Sequence, residues 1–175
     1  EEIFMTQLRA ILRASLYGNL SVMFPMISSV AEVQRAKLLL GRAGKELKAE
    51  KIPYNEKIEV GVMIETPAAV MISGELTREV DFVSIGTNDL TQFTLGMDRG
   101  NERLEPYYNP HHPALLKMIR IVANNVHLEN KRISICGDLA ADPEMTEFFL
   151  QIGIDELSVA PGEVLSLRKR IREIQ

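Results

Sequence analysis

Glu65, Asn88, Asp89, Arg99 and Cys136 are the residues of this 175-residue chain whose types and positions could do chemistry. Glu65 ends the apolar run 60–64, Asn88 and Asp89 follow the run 82–85 after two residues, and Cys136 ends the run 133–135. Three runs with strand character therefore deliver polar or reactive side chains at their C-terminal ends. In parallel α/β proteins that edge is where ligands bind, because the loops leaving it converge and the following helices aim their N-termini at it. Two carboxylates brought to one such mouth suit Mg²⁺, which takes one or two protein carboxylates and completes its sphere with water and phosphate oxygens. Arg99, in the glycine-bordered segment 97–101, is a permanent planar cation able to clamp a phosphate. Asn88 adds an amide for the same ligand, and the helix that follows offers backbone N–H groups. The Cys136 thiol, with an ordinary pKa near ~8.5, stays mostly protonated at neutral pH and can supply a proton.

Each residue also has a purely structural reading. Glu65 could be a strand end facing water, and Asn88-Asp89 before Leu90-Thr91-Gln92 could be a helix cap. Arg99 could pair with its neighbour Asp98, and Cys136 could be a small core hydrophobe. A Cys-His hydrolase is the weaker idea, since His111, His112 and His127 carry no triad-like local signature. The stretch 41–46 resembles a phosphate loop only superficially: the first glycine would fall at Leu39, and Glu46 stands where Ser or Thr belongs.

Alternating elements must position these side chains. Ile3, Leu8, Ile11, Leu12 and Leu16 fall at roughly helical spacing, with Gly18 closing the helix. A buried strand is expected over 20–26. Ser29 and Glu32 form a capping box for a long helix carried by Val33, Ala36, Leu40 and Leu47. The second strand covers 58–64, and Thr66 with Pro67 starts a helix directly after Glu65. Asp81 is a polar stop before the third strand, 82–85. A short helix after Asp89, a loop rich in Gly, Asn and Pro, and a helix over 114–128 lead to the fourth strand, 133–136. Asp142-Pro143 caps the next helix and Gly153 ends it; a fifth strand, 157–159, precedes a last helix beyond Pro161. Five βα units in strict alternation require a parallel sheet covered by helices. An open doubly wound sheet would be complete with five strands, whereas a (β/α)₈ barrel needs eight units and about 250 residues.

Composition narrows the function classes. With 46% hydrophobic and 25% charged residues and a net charge of −4, the chain has no sustained basic stripe, which argues against nucleic-acid binding. The basic residues between Arg168 and Arg172 read as the solvated end of the last helix. One cysteine rules out an internal disulfide and suits a reducing cytoplasm. No apolar run approaches the ~18 residues of a membrane span. The eight methionines read as core fillers. The length suits one domain, while the opening Glu inside a helical pattern suggests a fragment of a longer polypeptide.

The segments 63–69 (MIETPAA), 84–101 (SIGTNDLTQFTLGMDRGN), 108–110 (YNP) and 135–138 (ICGD) together resemble the enzyme I family of the bacterial sugar phosphotransferase system, the phosphoenolpyruvate-protein phosphotransferases. LRAILRAS at 8–15 and MFPMIS at 23–28 also fit, so the likeness covers nearly the whole chain. Pyruvate phosphate dikinase and phosphoenolpyruvate synthase share the Glu, Asn-Asp and Cys-Gly landmarks. The resemblance implies a (β/α)₈ TIM barrel of the phosphoenolpyruvate/pyruvate type, present as a partial barrel of about five βα units. Residues 1–175 would be its C-terminal part, with the phosphohistidine and HPr-binding domains lying outside it. Glu65 and Asp89 would ligate Mg²⁺, Asn88, Asp89 and Arg99 would contact phosphoenolpyruvate, and Cys136 would give the proton to the enolpyruvate carbon. Phosphate would pass to a histidine on another domain and then to HPr, for sugar uptake, in a cytoplasmic homodimer. The alternatives are a noncatalytic fragment or binding module derived from such an enzyme, or a relative of pyruvate phosphate dikinase or phosphoenolpyruvate synthase. Asp138 stands where the family more often has Glu, and Ala141 where Gly is frequent.

Overall fold

Val62, Val83 and Ile133 lie side by side on neighbouring strands, as do Ile64, Ile85 and Ile135, and all six are buried. Met63, Ser84 and Ser134 align between those rows and point to the opposite face. The sheet thus has one face that only helices can cover and one that is mixed and polar. The computed structural model describes residues 1–174. In chain order the elements are α1 (Glu2–Ala14), β1 (Ser21–Phe24), α2 (Val30–Ala49), β2 (Glu59–Ile64), α3 (Pro67–Met71), α4 (Ser73–Glu79), β3 (Phe82–Gly86), α5 (Thr87–Leu95), α6 (Pro113–Leu128), β4 (Arg132–Cys136), α7 (Thr146–Gln151), β5 (Glu156–Leu157) and α8 (Val164–Ile174).

All strand pairs are parallel and the order is β1-β2-β3-β4-β5. A doubly wound sheet reverses its order at a switch point. This one never reverses, so every crossover falls on the same side and the helices pack as a row, α1 on α2, α2 on α4, α4 on α6. The result is an arc of a barrel. Its inner face borders a cavity of about 560 Å³ lined by Met23, Met63, Phe82, Ser84, Ser134 and Cys136, among others. At the N-terminal end of the strands Phe82 lies across Gly61, where an added Cβ would sit 2.4 Å from the ring. Arg132 stacks on Phe82 at 5.8 Å and reaches Glu59 at 2.6 Å, and the same carboxylate accepts from Ser21 Oγ at 3.1 Å. Conserving shape at this end serves stability in such barrels, while the opposite end carries chemistry.

Ser29 and Glu32 form the expected capping box, and Val33, Ala36, Leu40 and Leu47 are buried on α2. Thr66 caps α3 by accepting from Ala69 N–H at 3.1 Å, with Pro67 in the first turn. The phosphate-loop lookalike is helical, and Gly44 makes room for Tyr54, whose Oη would meet a Cβ at 2.6 Å.

Several expectations require correction. The α1 helix ends at Ala14, not near Gly18, because Ser15 Oγ donates to Leu12 O (2.6 Å) and accepts from Asn55 N (2.9 Å), fastening the helix end to the segment before β2. Its buried stripe is Met5, Leu8 and Leu12, while Ile3 is 80% exposed. The first strand stops at Phe24 because Pro25 has no N–H to donate and Met26 turns to φ 54°. Asp142 does not cap α7, which begins at Thr146 after Met145; its Oδ1 instead accepts from Glu144 N–H in a local turn. The fifth strand is Glu156–Leu157, one residue earlier than expected at its start. Of the methionines, Met5 and Met145 are core, Met23 and Met63 line the inner cavity, and Met26 and Met71 are exposed. Among the described residues no helix is long and apolar enough to cross a membrane.

Candidate active site

The end of β2 places Glu65 at the C-terminal mouth of the arc, 3% exposed. A buried carboxylate demands partners. One is the backbone N–H of Met26, which donates to Oε1 at 2.7 Å from the turn after β1. A non-glycine residue at positive φ is strained, and here the strain aims that N–H at the carboxylate. The neighbouring strand makes room for it: at Gly86 a Cβ would lie 2.7 Å from Glu65 Oε2 and 2.8 Å from Met63 Sδ. Burial pushes the Glu65 pKa up, the neighbouring Asp89 carboxylate raises it further, and the Met26 N–H and Arg99 oppose the rise. The reading of Glu65 as a water-facing strand end is therefore wrong.

Asn88 and Asp89 are not caps. The α5 helix begins at Thr87 with Gly86 as its cap residue, so both lie within the first turn. Asn88 Oδ1 accepts from Asp138 N–H at 2.9 Å, which commits its oxygen and leaves its NH₂ as the free end. Thr87 Oγ1 donates to Cys136 O at 2.8 Å, so two consecutive residues of α5 tie down the loop after β4. Gly137, at φ 93°, is required between them: a Cβ would sit 2.4 Å from Thr87 Oγ1 and 2.6 Å from Asn88 Oδ1.

Arg99 reaches back from the long connection between α5 and α6 to lie 3.8 Å from Asp89 Oδ1, and its own N–H donates to Gln92 Oε1 at 3.1 Å. Asp98 is occupied otherwise, its Oδ1 accepting from Gly100 N–H. The ion pair with Asp89 is too long for a hydrogen bond, and both side chains remain partly exposed, open to a ligand between or beside them.

Cys136 ends β4, half-buried, its thiol within 3.5 Å of Ile85 O as donor and accepting from Ser84 Oγ at 3.9 Å. Burial raises the thiol pKa, as do the charges of Glu65 and Asp89, against the hydroxyl of Ser84. The sulfur thus keeps its proton at neutral pH. Sequence reasoning missed Ser84, Gly86, Gly137 and the Met26 N–H; only the strand-period alternation, which sets Ser84 on the inner face with Cys136 and Glu65, could have pointed to any of them. Of the three histidines, His112 caps α6 through Nδ1, His127 meets Gly153 O, and His111 pairs with Asp142.

The ends of β2 and β4, the first turn of α5 and the connection after it therefore bring Glu65, Cys136, Asn88, Asp89 and Arg99 to one mouth. A partial (β/α)₈ barrel is the class this fold defines, and solved structures agree. A citrate lyase from Burkholderia xenovorans superposes with a TM-score of 0.71 at 17% identity, over 95% of this chain and 53% of that one. A pyruvate kinase from Cryptosporidium parvum gives 0.68 at 11% identity, over 94% and 34%. At such identities the likeness speaks for fold alone. Residues 1–175 match the family described as PEP-utilising enzyme, PEP-binding domain, and the chain belongs to that family. Proteins named phosphoenolpyruvate-protein phosphotransferase are 48% identical in Buchnera aphidicola (subsp. Baizongia pistaciae), 47% in Haemophilus influenzae and 44% in Priestia megaterium, each over 99% of this chain. The chain spans 30% of the length of these relatives.

Proposed function

We propose that this chain is the C-terminal, phosphoenolpyruvate-binding part of a phosphoenolpyruvate-protein phosphotransferase. The observation that carries the reading is the buried Glu65 carboxylate facing Asp89: two acidic groups in one pocket, one with a raised pKa, form a donor set that suits a hard cation. Glu65 and Asp89 would hold Mg²⁺, which when bound would neutralise phosphate and enolate oxygens. Arg99 presents its guanidinium to the phosphate, and Asn88, its oxygen fixed by Asp138 N–H, turns its NH₂ to the same group. As the P–O bond breaks and the phosphoryl group passes to a histidine on another domain, the enolate of pyruvate is left; the Cys136 S–H proton goes to its C3, giving pyruvate and a thiolate that regains a proton from water. The acceptor histidine would then phosphorylate HPr and so energise sugar uptake. The family relationship further supports a cytoplasmic homodimer.

Titration calorimetry of a full-length polypeptide carrying this segment tests the reading. Phosphoenolpyruvate should bind only with Mg²⁺ present, and Asp89→Asn should weaken metal-dependent binding by about 10- to 100-fold, no less than the loss of a residue supporting a ligand. Tight binding without metal, unchanged in Glu65→Gln and Asp89→Asn, would return both carboxylates to structural roles.

A further inference from the structure

The connection between α5 and α6 carries Arg99 and is built almost wholly from turns that bond to themselves. Asp98 accepts from Gly100 and Asn101, Asn101 from Arg103 and Leu104, Leu104 from Tyr107 and Tyr108, and Asn109 from His111 and His112. Further bonds lead back to the helix it has just left: Met97 N–H to Gln92 O at 3.0 Å, Arg99 N–H to Gln92 Oε1, and Tyr108 Oη to Asn88 O at 3.3 Å. Among the hydrogen bonds of the described residues, a single one takes this connection across to the loop that follows Cys136. It joins His111 Nε2 to Asp142 Oδ2 at 2.5 Å.

Asp142 is a fixed anchor. Its Oδ1 accepts from Glu144 N–H at 2.8 Å, its N–H donates to Leu139 O, and its carbonyl accepts from Met145 N–H and from Thr146 Oγ1. His111 is held from the other side, its N–H on Asn109 Oδ1 at 2.9 Å. Facing a carboxylate, Nε2 carries the hydrogen. Both side chains are mostly covered, His111 at 37% and Asp142 at 22% exposure, so the bond is partly shielded from water.

We propose that His111 and Asp142 are a positioning pair that locks the Arg99-bearing connection to the Cys136-bearing loop, so that the phosphate end and the carbon end of one substrate are gripped together. The inference rests on the functional reading of Arg99 and Cys136 given above. A phosphoenolpyruvate molecule spans both groups, and a small displacement of one relative to the other costs rate even though neither reacting side chain is altered.

The test uses a full-length polypeptide carrying these residues, with phosphoenolpyruvate and Mg²⁺. His111→Ala should lower kcat/KM by about 10- to 100-fold, and His111→Gln, whose amide can still donate to Asp142, should recover most of it. In an Arg99→Ala background His111→Ala should add little, because the group it positions is gone. Hydrogen exchange should rise in His111→Ala across residues 97–111 and stay unchanged over α6. Unchanged exchange across 97–111 would overturn the proposal whatever the activity, as would equal losses from His111→Ala in the presence and absence of Arg99. If Arg99→Ala itself leaves kcat/KM intact, the functional reading falls and takes the catalytic role of the pair with it, while raised exchange would still mark the pair as a structural tie.

Discussion

Two carboxylates that share a pocket repel each other unless something positive lies between them, and Glu65 bears the cost because it is the buried one. Its pKa is raised in the folded chain, first by burial and then by Asp89. At a pH below the ordinary carboxylate range, Glu65 is protonated whether the chain is folded or not, and stability is unaffected. As the pH climbs from that range to the raised value, the unfolded chain releases its proton first, so stability falls. Without divalent cations, Glu65→Gln should therefore melt higher than the parent at neutral pH, the gap should close in acid, and Mg²⁺ should raise only the parent. Scanning calorimetry across that range checks it; a gap that widens in acid would mean the carboxylate is stabilised as an anion. Cys136 carries a second residue-scale expectation. Its thiol stays protonated through burial and the nearby acids, and Cys136→Ala removes the only proton source proposed at C3. Phosphoenolpyruvate binding should persist while turnover drops by about 10²–10⁴, together with exchange of pyruvate methyl protons in deuterated solvent. Parental turnover would return the cysteine to packing.

At the scale of elements, β2 and β3 cooperate through a missing side chain. Gly86 adopts φ −89° and ψ 94°, which alanine accepts without strain, so any penalty for Gly86→Ala is steric. The new Cβ would press on Glu65 Oε2, Met63 Sδ and Glu65 Cβ at 2.7, 2.8 and 3.0 Å. We expect a loss of about 1–3 kcal/mol by denaturant titration, with metal-dependent phosphoenolpyruvate binding impaired; a variant as stable as the parent that binds normally would show that the Glu65 side chain has another place to go. Gly86 also marks where the sequence stops being readable. The capping box at Ser29 and Glu32 and the Thr66-Pro67 start were legible because the partners sit within four residues and the backbone chemistry is local. The strand ends were legible too, since an apolar run meeting Glu65 or Cys136 advertises its own edge. What Gly86, Gly61 and Gly137 make room for, and which hydrogen bond turns Asn88, depend on the register between strands that are distant in sequence. Periodicity carries no such information. The end of α1 failed for the same reason, because Asn55 supplies its tether.

At the scale of the whole molecule, the order β1-β2-β3-β4-β5 settles a choice that composition left open, between a doubly wound sheet and a barrel arc. An arc has two free edges. Among the described residues β1 pairs only with β2, and β5 only with β4. Unpaired strand edges beside a half-open cavity invite association. A polypeptide limited to these 175 residues should therefore self-associate over a micromolar range in sedimentation equilibrium, and a single monomeric species at every concentration would show that the edges are already protected.

The sequential strand order also bears on how the chain is made. Each new strand hydrogen-bonds to the one synthesised just before it, and none must wait for a later segment to be inserted between itself and its neighbour. The polypeptide can accordingly settle in the order in which it leaves the ribosome, β1 offering its edge to β2 and β2 to β3, with α2 covering the growing sheet before the residues around Cys136 exist. Within this segment the residues around Cys136 would then complete the mouth after Glu65 and Asp89 are in place, so a chain stopped before them yields a shorter arc rather than a scrambled one.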